Sequence, residues 1–394
     1  MRKLWIAFLM TGLFLSCSTD GGLLDEKSGY ISDGLYTGGE GSDGGSQTGS
    51  GQAGVITAGE WNDLDNWMFL DSLMNTQDYS KMLSYWGFYT NNRISVKVVD
   101  GSANPVSDQE VLLKRNETVI WAARSDNKGT AELWLDLYQH NADVDFSTLK
   151  IVVGNSVSNA VKTFSEGINT IVLSQYPTPS NKVELAFVVD ATGSMSDELE
   201  FLKTELLDVI NRAKSDNPSV TMLTGSVFYR DEGDEYVTRT SQFSSDIQTT
   251  LSFIKNQQAN GGGDFPEAVH TALDKALNDL QWSSLARTRL LFLVLDAPPH
   301  YTPAVVAKLQ AEIKQASEKG VKIIPITASG IDKETEFLMR FMAVGTNGTY
   351  VFITDDSGVG GEHLEPTVGK YDVEKLNDLM VRLINKYIKL QINS

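Results

Sequence analysis

Three oxygen-bearing side chains follow an unbroken apolar run near the middle of the sequence. The run "LAFVVD" ends in Asp190, and Thr192 and Ser194 follow it at every second position. In an extended loop alternate residues face the same way, so the two hydroxyls are expected on one side. Carboxylate and hydroxyl oxygens suit Mg²⁺, Mn²⁺ or Ca²⁺ and do not suit zinc. The stretch therefore indicates part of an oxygen-only site for a divalent cation.

Two more aspartates are candidates for the same site. The apolar run "RLLFLVLD" ends in Asp296, and the segment "GGGDFPEA" (261–268) carries Asp264. Continuous apolar runs that alternate with helical patterns predict a mainly parallel, doubly wound α/β sheet over residues 182–392. Because ligands bind beyond the carboxyl ends of the strands in such sheets, we expect these aspartates at one edge, beside Asp190. Each of them alone is also a common turn or helix-cap residue.

The spacing of these residues resembles a known signature. "DATGS" matches the D-x-[ST]-x-S pattern of von Willebrand factor type A (VWA) domains, at their metal-ion-dependent adhesion site (MIDAS). The glycine-rich loop and the aspartate of "LVLDAPP" resemble the family's later landmarks, in the same order. The resemblance implies that the hydroxyls of Thr192 and Ser194 bind the metal directly. It implies that Asp190 and Asp296 hold the metal mainly through ordered waters.

One position departs from the family pattern. The family offers a threonine where this chain has Asp264. With the threonine, two carboxylates cancel the charge of a divalent ion, which then attracts an acidic ligand. With Asp264 the protein contributes three negative charges, so metal binding is expected to tighten and attraction for an acidic ligand to weaken. The site is then expected to be partly structural or to prefer a neutral oxygen ligand.

Three further polar residues are candidates for the rim of the site. Arg230 lies in "YRDEGDEY" after a strand, and His300 lies four residues beyond Asp296. Asp355 belongs to the acidic, glycine-rich loop "TDDSGVGGEHLEP" (354–366), which is a candidate for the rim or for a Ca²⁺ site. A solvated hairpin and ordinary loop residues are the alternative interpretation of these stretches.

The first residues have the features of an export signal. Residues 1–17 contain a basic pair, a short apolar stretch and "LSC", and they resemble a bacterial lipoprotein signal. The resemblance implies cleavage before Cys17, lipidation of its thiol and an acyl anchor in a membrane. A simple secretory signal is the alternative. Residues 18–56 are rich in Gly, Ser, Thr and Asp, which predicts a flexible tether. Cys17 is the only cysteine of the sequence, which excludes a disulfide framework.

Two segments separate this tether from the parallel sheet. Residues 57–90 are rich in aromatic side chains. Leu64, Trp67, Leu70 and Met74 fall at mostly helical spacing there, which predicts one amphipathic helix. Residues 91–178 change to a period of two between Gly, Asn, Asp and Pro turns, which predicts an all-β sandwich of about seven strands. The run resembles the immunoglobulin-like, carboxypeptidase-regulatory modules of bacterial surface proteins. We expect it to act as a spacer or docking module.

Composition and motifs together leave three functional hypotheses. The net charge of −18, from 51 acidic and 33 basic residues, argues against nucleic acid or an anionic membrane as a partner. The leading hypothesis is a lipid-anchored outer-membrane protein, facing the periplasm or the exterior, that binds a protein or glycan partner through the metal. The second is an envelope scaffold or assembly protein with a structural metal. The third, a metal-dependent phosphohydrolase, is disfavoured because Thr192 stands where a haloacid-dehalogenase phosphatase carries its acid/base aspartate. The chain is therefore expected not to be an enzyme.

Overall fold

The structure, a computed structural model, describes residues 53–139, 144–178 and 180–390. The predicted signal of residues 1–17, its Cys17 and the tether up to residue 52 lie outside the described residues. The helices and strands are, in chain order, β1 (Thr57–Trp61), α1 (Trp67–Met74), α2 (Gln77–Trp86), β2 (Arg93–Asp100), β3 (Glu110–Arg115), β4 (Thr118–Arg124), β5 (Thr130–Trp134), β6 (Leu149–Val153), β7 (Ser156–Ser158), β8 (Asn169–Leu173), β9 (Lys182–Asp190), α3 (Ser196–Asp216), β10 (Thr221–Tyr229), β11 (Thr238–Ser244), α4 (Ile247–Lys255), α5 (Val269–Asn278), β12 (Thr288–Leu295), α6 (Pro303–Lys319), β13 (Val321–Thr327), α7 (Lys333–Gly345), β14 (Tyr350–Ile353), β15 (Glu374–Lys375) and α8 (Leu376–Ile388).

An eight-stranded sheet forms the centre of the fold, in the order β11-β10-β9-β12-β13-β14-β1-β15. The five strands from β10 to β14 in this order are parallel, whereas β11, β1 and β15 each pair antiparallel with a neighbour. The prediction of a mainly parallel α/β sheet is confirmed. The carboxyl ends of the five parallel strands therefore meet at one edge, which we call the carboxyl edge.

Helices cover both faces of this sheet, which explains why its strands are apolar throughout. Along β9, Leu185, Phe187 and Val189 pack in one core cluster with residues of α3, α4 and α8. The alternate residues Ala186 and Val188 pack in the other cluster with residues of α5, α6 and α7. Both side-chain sets of the strand are buried, as expected for parallel strands between helices. Within the described residues no helix combines the length and apolarity needed to cross a membrane.

The aromatic-rich segment 57–90 is not one helix, so that prediction is wrong. It forms β1 followed by the two short helices α1 and α2, which are separated at Asn75 and Thr76. The extended backbone of Thr76 ends the first helix. Thr76 then directly precedes the first turn of α2. Strand β1 is inserted between β14 and β15 in the large sheet. In residues 57–61, pairing with distant strands determined the secondary structure, and local helical spacing did not.

The tether predicted for residues 18–56 extends too far, because residues 53–56 belong to the folded part. Ile56 is fully buried. The backbone N–H groups of Gly54, Val55 and Ile56 donate to Oε1 of Glu205 on α3, at 2.8, 3.0 and 3.3 Å. A buried carboxylate that accepts several backbone N–H groups holds the chain in one conformation. The fold therefore includes the residues directly before β1.

The described residues of the range 91–178 form seven strands in two sheets, with the orders β5-β2-β8 and β4-β3-β6-β7. The number of strands agrees with the prediction, although β2 and β8 pair parallel. The region packs against the large sheet and helix α6 instead of standing apart as a spacer. Trp121 donates its indole N–H to Ser317 Oγ on α6 at 3.1 Å, and Asp108 accepts from Arg289 on β12 at 2.9 Å. Both contacts lie away from the carboxyl edge, so this packing leaves that edge open.

Candidate functional site

Two aspartates lie side by side at the carboxyl edge of the large sheet. Strand β9 ends at Asp190, and β12 runs parallel beside it with Val189 opposite Val294. Asp296 follows the end of β12. Since neighbouring parallel strands end at the same level, the sheet itself places the Asp190 and Asp296 carboxyl groups next to each other.

The hydroxyl groups of Thr192 and Ser194 lie beside Asp190. Asp190 Oδ1 accepts hydrogen bonds from the Thr192 backbone N–H at 2.8 Å and from the Thr192 hydroxyl at 2.7 Å. The Thr192 and Ser194 hydroxyl oxygens are 3.1 Å apart. The Ser194 hydroxyl also interacts with the Asp296 carboxyl group. The four residues thus form one cluster, in which Thr192 is buried and Ser194 is exposed.

Asp264 does not join this cluster, contrary to the sequence-based expectation. Its side chain is exposed, and the carboxyl group that this segment contributes is that of Glu267. The Glu267 backbone N–H donates to Pro298 O at 2.8 Å, which fixes the residue beside the loop that follows Asp296. Burial raises the pKa of Glu267 most, and the charges of Asp190, Asp231 and Asp296 raise it further, so Glu267 lies close enough to both aspartates of the cluster for their charges to act on it. The sequence pattern indicated Asp264 and not Glu267, because Asp264 is the acidic residue directly after the glycines.

The three carboxyl groups are buried and incompletely hydrogen-bonded. Asp190, Glu267 and Asp296 are 0%, 2% and 5% exposed. One oxygen of each, Asp190 Oδ2, Glu267 Oε2 and Asp296 Oδ1, makes no hydrogen bond of normal length. The Tyr229 hydroxyl interacts with Asp190, although no hydrogen bond of normal geometry joins the two groups. Buried acceptors without partners are costly, so this arrangement is one that a bound cation would stabilise.

Burial raises the pKa of all three groups. For Asp190, burial and then the charge of Asp296 raise the pKa, and hydrogen bonds from Thr192 oppose the shift. Burial likewise raises the pKa of Asp296, with a further contribution from Glu198. Burial and the neighbouring aspartates raise the pKa of Glu267 to about 9. Mutual repulsion of this kind is relieved by protons or by a cation.

The glycine-rich loop supplies the close packing that this cluster needs. Gly193 N–H donates to Gly261 O at 3.0 Å, which ties the loop to the segment after β9. Gly262 has a φ of 73°, and a Cβ atom there would lie 2.9 Å from Glu267 Oε1 and 3.2 Å from Thr192 Cβ. A side chain at this position would push two site residues apart.

We therefore expect Gly262→Ala to lower the free energy of unfolding by about 1–3 kcal/mol, because it combines a left-handed backbone with a clash. Gly263→Ala is the matched control, since a Cβ at Gly263 would meet open space within 4 Å. Urea unfolding of both variants measures the difference. Equal stability of the two variants would show that the loop does not pack as described.

The residues predicted for the rim have distinct places. Arg230 is buried and braces the backbone of the site loops, because it donates to Ala191 O at 3.1 Å and to Gln258 O at 2.9 Å. His300 Nε2 lies 2.6 Å from Asp231 Oδ1. Both residues therefore position the loops around the cluster.

Asp355 reaches the cluster only indirectly. Its Oδ1 lies 2.7 Å from His363 Nδ1, and His363 Nε2 lies 3.3 Å from Glu198 Oε1. Glu198 is buried on α3 and influences Asp296. Burial lowers the pKa of His363, but the two carboxylates outweigh it and raise the pKa overall. The loop 354–366 therefore closes over one side of the site.

All candidate ligands for a metal are oxygens. In the part of the chain that the structure describes, no group of three or more His, Cys, Asp and Glu side chains is arranged to hold a metal ion. The cluster instead combines carboxyl groups with the hydroxyls of Thr192 and Ser194. A hydroxyl and carboxylate set of this kind fits a hard cation such as Mg²⁺.

Comparison with known proteins identifies the domain that carries the cluster. Residues 184–359 match the family of the von Willebrand factor A domain. This segment is therefore a VWA domain, as the "DATGS" pattern indicated. The match begins within β9 and ends in the loop after β14, so it includes every member of the cluster.

Two proteins resemble part of this chain in sequence, and two solved structures resemble part of it in fold. An ariadne-like RING finger protein of Acanthamoeba polyphaga mimivirus is 35% identical over 119 residues, and the alpha-protein kinase vwkA of Dictyostelium discoideum is 30% identical over 124 residues. These matches cover 30% and 31% of this chain, which spans only 11% and 20% of the length of these relatives. Among solved structures, BatB from Bacteroides thetaiotaomicron is 16% identical with a TM-score of 0.35, and an aerotolerance-related membrane protein from Bacteroides fragilis is 14% identical with a TM-score of 0.34. Each structural match covers 52% of this chain and 98% of the solved chain.

Proposed function

We propose that the VWA domain binds a divalent metal ion, Mg²⁺ or alternatively Mn²⁺ or Ca²⁺, and engages a protein or glycan partner through it. The observation that carries this proposal is the set of three buried carboxyl groups, Asp190, Glu267 and Asp296, each with an oxygen that lacks a hydrogen bond. The hydroxyls of Thr192 and Ser194 complete an all-oxygen donor set. Hard divalent cations prefer such donors.

The ligand set that we propose differs from the sequence-based one at a single residue. Asp190, Thr192, Ser194 and Asp296 remain, and Glu267 replaces the exposed Asp264 as the third carboxyl group. The formal charge of the ligand set is unchanged by this replacement. A bound divalent cation would polarise an oxygen atom of the partner, and the exposed Ser194 marks the side from which that oxygen would approach.

The role proposed for the metal is binding, and catalysis is not proposed. The hydroxyl of Thr192 donates to Asp190, so its proton is engaged in holding the cluster together. A threonine at that position does not supply an acid or base near neutral pH. The domain therefore acts as a recognition module in this account.

We further propose that the chain is a lipoprotein of the bacterial cell envelope, anchored through Cys17 after removal of the signal. The support comes from the sequence of residues 1–17 and from the Gly/Ser-rich composition of residues 18–52. Lipid anchoring would place the metal face at the end of a tether, in the periplasm or at the cell surface.

A structural role for the metal is the second candidate function, and the deep burial of Asp190 favours it. In that case the chain would serve as an envelope scaffold, and its partner would bind elsewhere. Pull-down from the envelope with and without chelator separates the two functions. Loss of the partner with a fall in melting temperature of only several degrees supports adhesion, and a much larger fall supports the structural role.

The ligand set itself is tested by two substitutions of similar size. We expect Glu267→Gln to weaken Mg²⁺ and Mn²⁺ binding by roughly tenfold or more, because it removes one buried charge from the cluster. Asp264→Asn is the control and is expected to leave the affinity within about twofold, because Asp264 is exposed. Titration calorimetry measures both affinities. A larger effect of Asp264→Asn would support Asp264 as the third carboxylate ligand and contradict the assignment of Glu267.

A further inference from the structure

The carboxyl edge carries an unusual distribution of charge. Its loops comprise residues 191–195, 230–237, 256–268, 296–302, 328–332 and 354–366. All except 191–195 contain acidic residues, and the only Lys or Arg in the whole set is Arg230. The overall excess of acidic residues does not explain this, because several basic residues lie at the opposite end of the same strands. Lys182, Arg289 and Lys322 lie at the first or second position of their strands.

The positive charges at the carboxyl edge are already engaged within the protein. Arg239 and Lys333, which lie just after two of these loops, pair with Glu235 at 3.5 Å and with Glu336 at 3.1 Å. Arg230 is buried, and its guanidinium is engaged by Ala191 O and Gln258 O. It also stacks on the ring of Tyr236, 4.3 Å from the centroid. Because it is held beneath the loops, its charge does little to attract an acidic ligand from solvent.

Acidic side chains surround the proposed metal site instead. Glu232, Asp264 and Glu362 are exposed in three different loops, and we call these three residues the acidic rim. In the centre, Asp190, Glu267 and Asp296 retain unpartnered buried oxygens. A divalent cation there compensates two of three formal charges, so the metal face stays negative after metal binding.

We propose that the metal face recognises a cationic partner, namely a protein segment or surface rich in Lys and Arg. This inference rests on the proposed function and names the chemistry of its partner. A neutral oxygen of that partner, such as a peptide carbonyl, completes the metal shell, and its basic side chains pair with the acidic rim. Complementary charge around a central contact selects partners and speeds their association. An acidic ligand meets repulsion from the same groups.

The test compares peptides of opposite charge on two variants that have lost equal charge. The full chain is saturated with Mg²⁺ and titrated with oligolysine, oligoglutamate and a glycine–serine peptide of the same length, at two salt concentrations. The rim variant carries Glu232→Gln, Asp264→Asn and Glu362→Gln. The control variant carries Asp71→Asn, Asp78→Asn and Glu110→Gln, which are exposed residues of the helical segment and the sandwich.

We expect oligolysine to bind more tightly than the other peptides and to weaken as salt increases. The rim variant is expected to bind it roughly tenfold more weakly, and the control variant within about twofold of the wild type. Equal weakening of both variants, or tighter binding of oligoglutamate or the neutral peptide, overturns the inference. A parallel Mg²⁺ titration of the wild type keeps the two proposals apart, because absent Mg²⁺ binding overturns the metal site whatever the peptides do.

Discussion

Without metal, at about pH 8, Asp190→Asn is expected to melt at a higher temperature than the wild type. Asp190 is fully buried, and its charge is opposed first by this burial and then by the neighbouring carboxyl group of Asp296. Removing one charge relieves this repulsion, which we expect to increase the free energy of unfolding by about 1–3 kcal/mol. Thermal unfolding in the presence of a chelator measures the change.

The raised pKa values determine how the stability of the metal-free protein depends on pH. Folding raises the pKa of these carboxyl groups above the ordinary value near 4, so the folded chain holds protons more tightly than the unfolded chain. The stability of the metal-free wild type is therefore expected to fall as the pH rises from about 4 to about 9. The gain from Asp190→Asn is expected to shrink at about pH 5, where most of the group is already protonated.

Metal is expected to reverse the order of the two proteins. Mg²⁺ at about 100 times its dissociation constant contributes about 2.7 kcal/mol to the wild type, which raises its melting temperature by several degrees. Asp190→Asn is expected to gain little, because the cluster has lost a charged ligand. Asp264→Asn serves as the control and should follow the wild type in both conditions. An equal shift by Mg²⁺ in wild type and Asp190→Asn would contradict the proposed site.

The second large effect is expected at the contact between the sandwich and the VWA domain. Asp108 is buried and accepts from Arg124 Nε at 2.7 Å, Arg289 Nη1 at 2.9 Å and the Ala286 N–H at 3.0 Å. Asp108→Ala leaves the buried Arg289 without this partner, so the free energy of unfolding is expected to fall by about 3–5 kcal/mol. Chemical denaturation measures the loss.

The matched control for this substitution is an exposed ion pair of the same region. Lys150 and Glu117 are 2.6 Å apart, but Glu117 is 85% exposed, so Glu117→Ala is expected to leave stability unchanged. The wild type is expected to unfold in one transition, because the sandwich and the VWA domain share a core cluster. Similar stability of Asp108→Ala and Glu117→Ala, or separate transitions for the two regions, would contradict the rigid contact.

The sequence contained enough information to place most of the candidate site. The apolar runs that end at Asp190 and near Asp296 predicted parallel strands, and the carboxyl edge follows from their parallel order. The every-second spacing of Thr192 and Ser194 correctly predicted neighbouring hydroxyls. Local periodicity was sufficient for these residues, because each directly follows a buried strand or lies in the loop after it.

Glu267 could not be found in the same way. Asp264 and Glu267 are both acidic and three residues apart, so the local sequence does not show which of them points inward. Glu267 takes the inward position in the fold, where its backbone N–H donates to Pro298 O of a distant loop. One signal was present in the sequence: Glu267 directly precedes Ala268 and Val269, which start the buried face of α5.

The remaining errors also have their origin in long-range contacts. Thr57–Trp61 reads as part of a helical segment until β14 and β15 are available as partners. Residues 53–56 directly continue the glycine-rich stretch, but Val55 and Ile56 are apolar, and Glu205 on α3 binds the backbone of this segment. Asp108 and Arg289 lie 181 positions apart, so no local pattern links the sandwich to the large sheet.

The central claim is that one divalent cation lies among Asp190, Thr192, Ser194, Glu267 and Asp296. The most direct measurement is anomalous X-ray diffraction from crystals of the folded region, residues 53–390, soaked in Mn²⁺. The account predicts one strong manganese peak within coordination distance of these side chains. A peak at Asp264 with none in this cluster, or no peak at the carboxyl edge under saturating Mn²⁺, would contradict it.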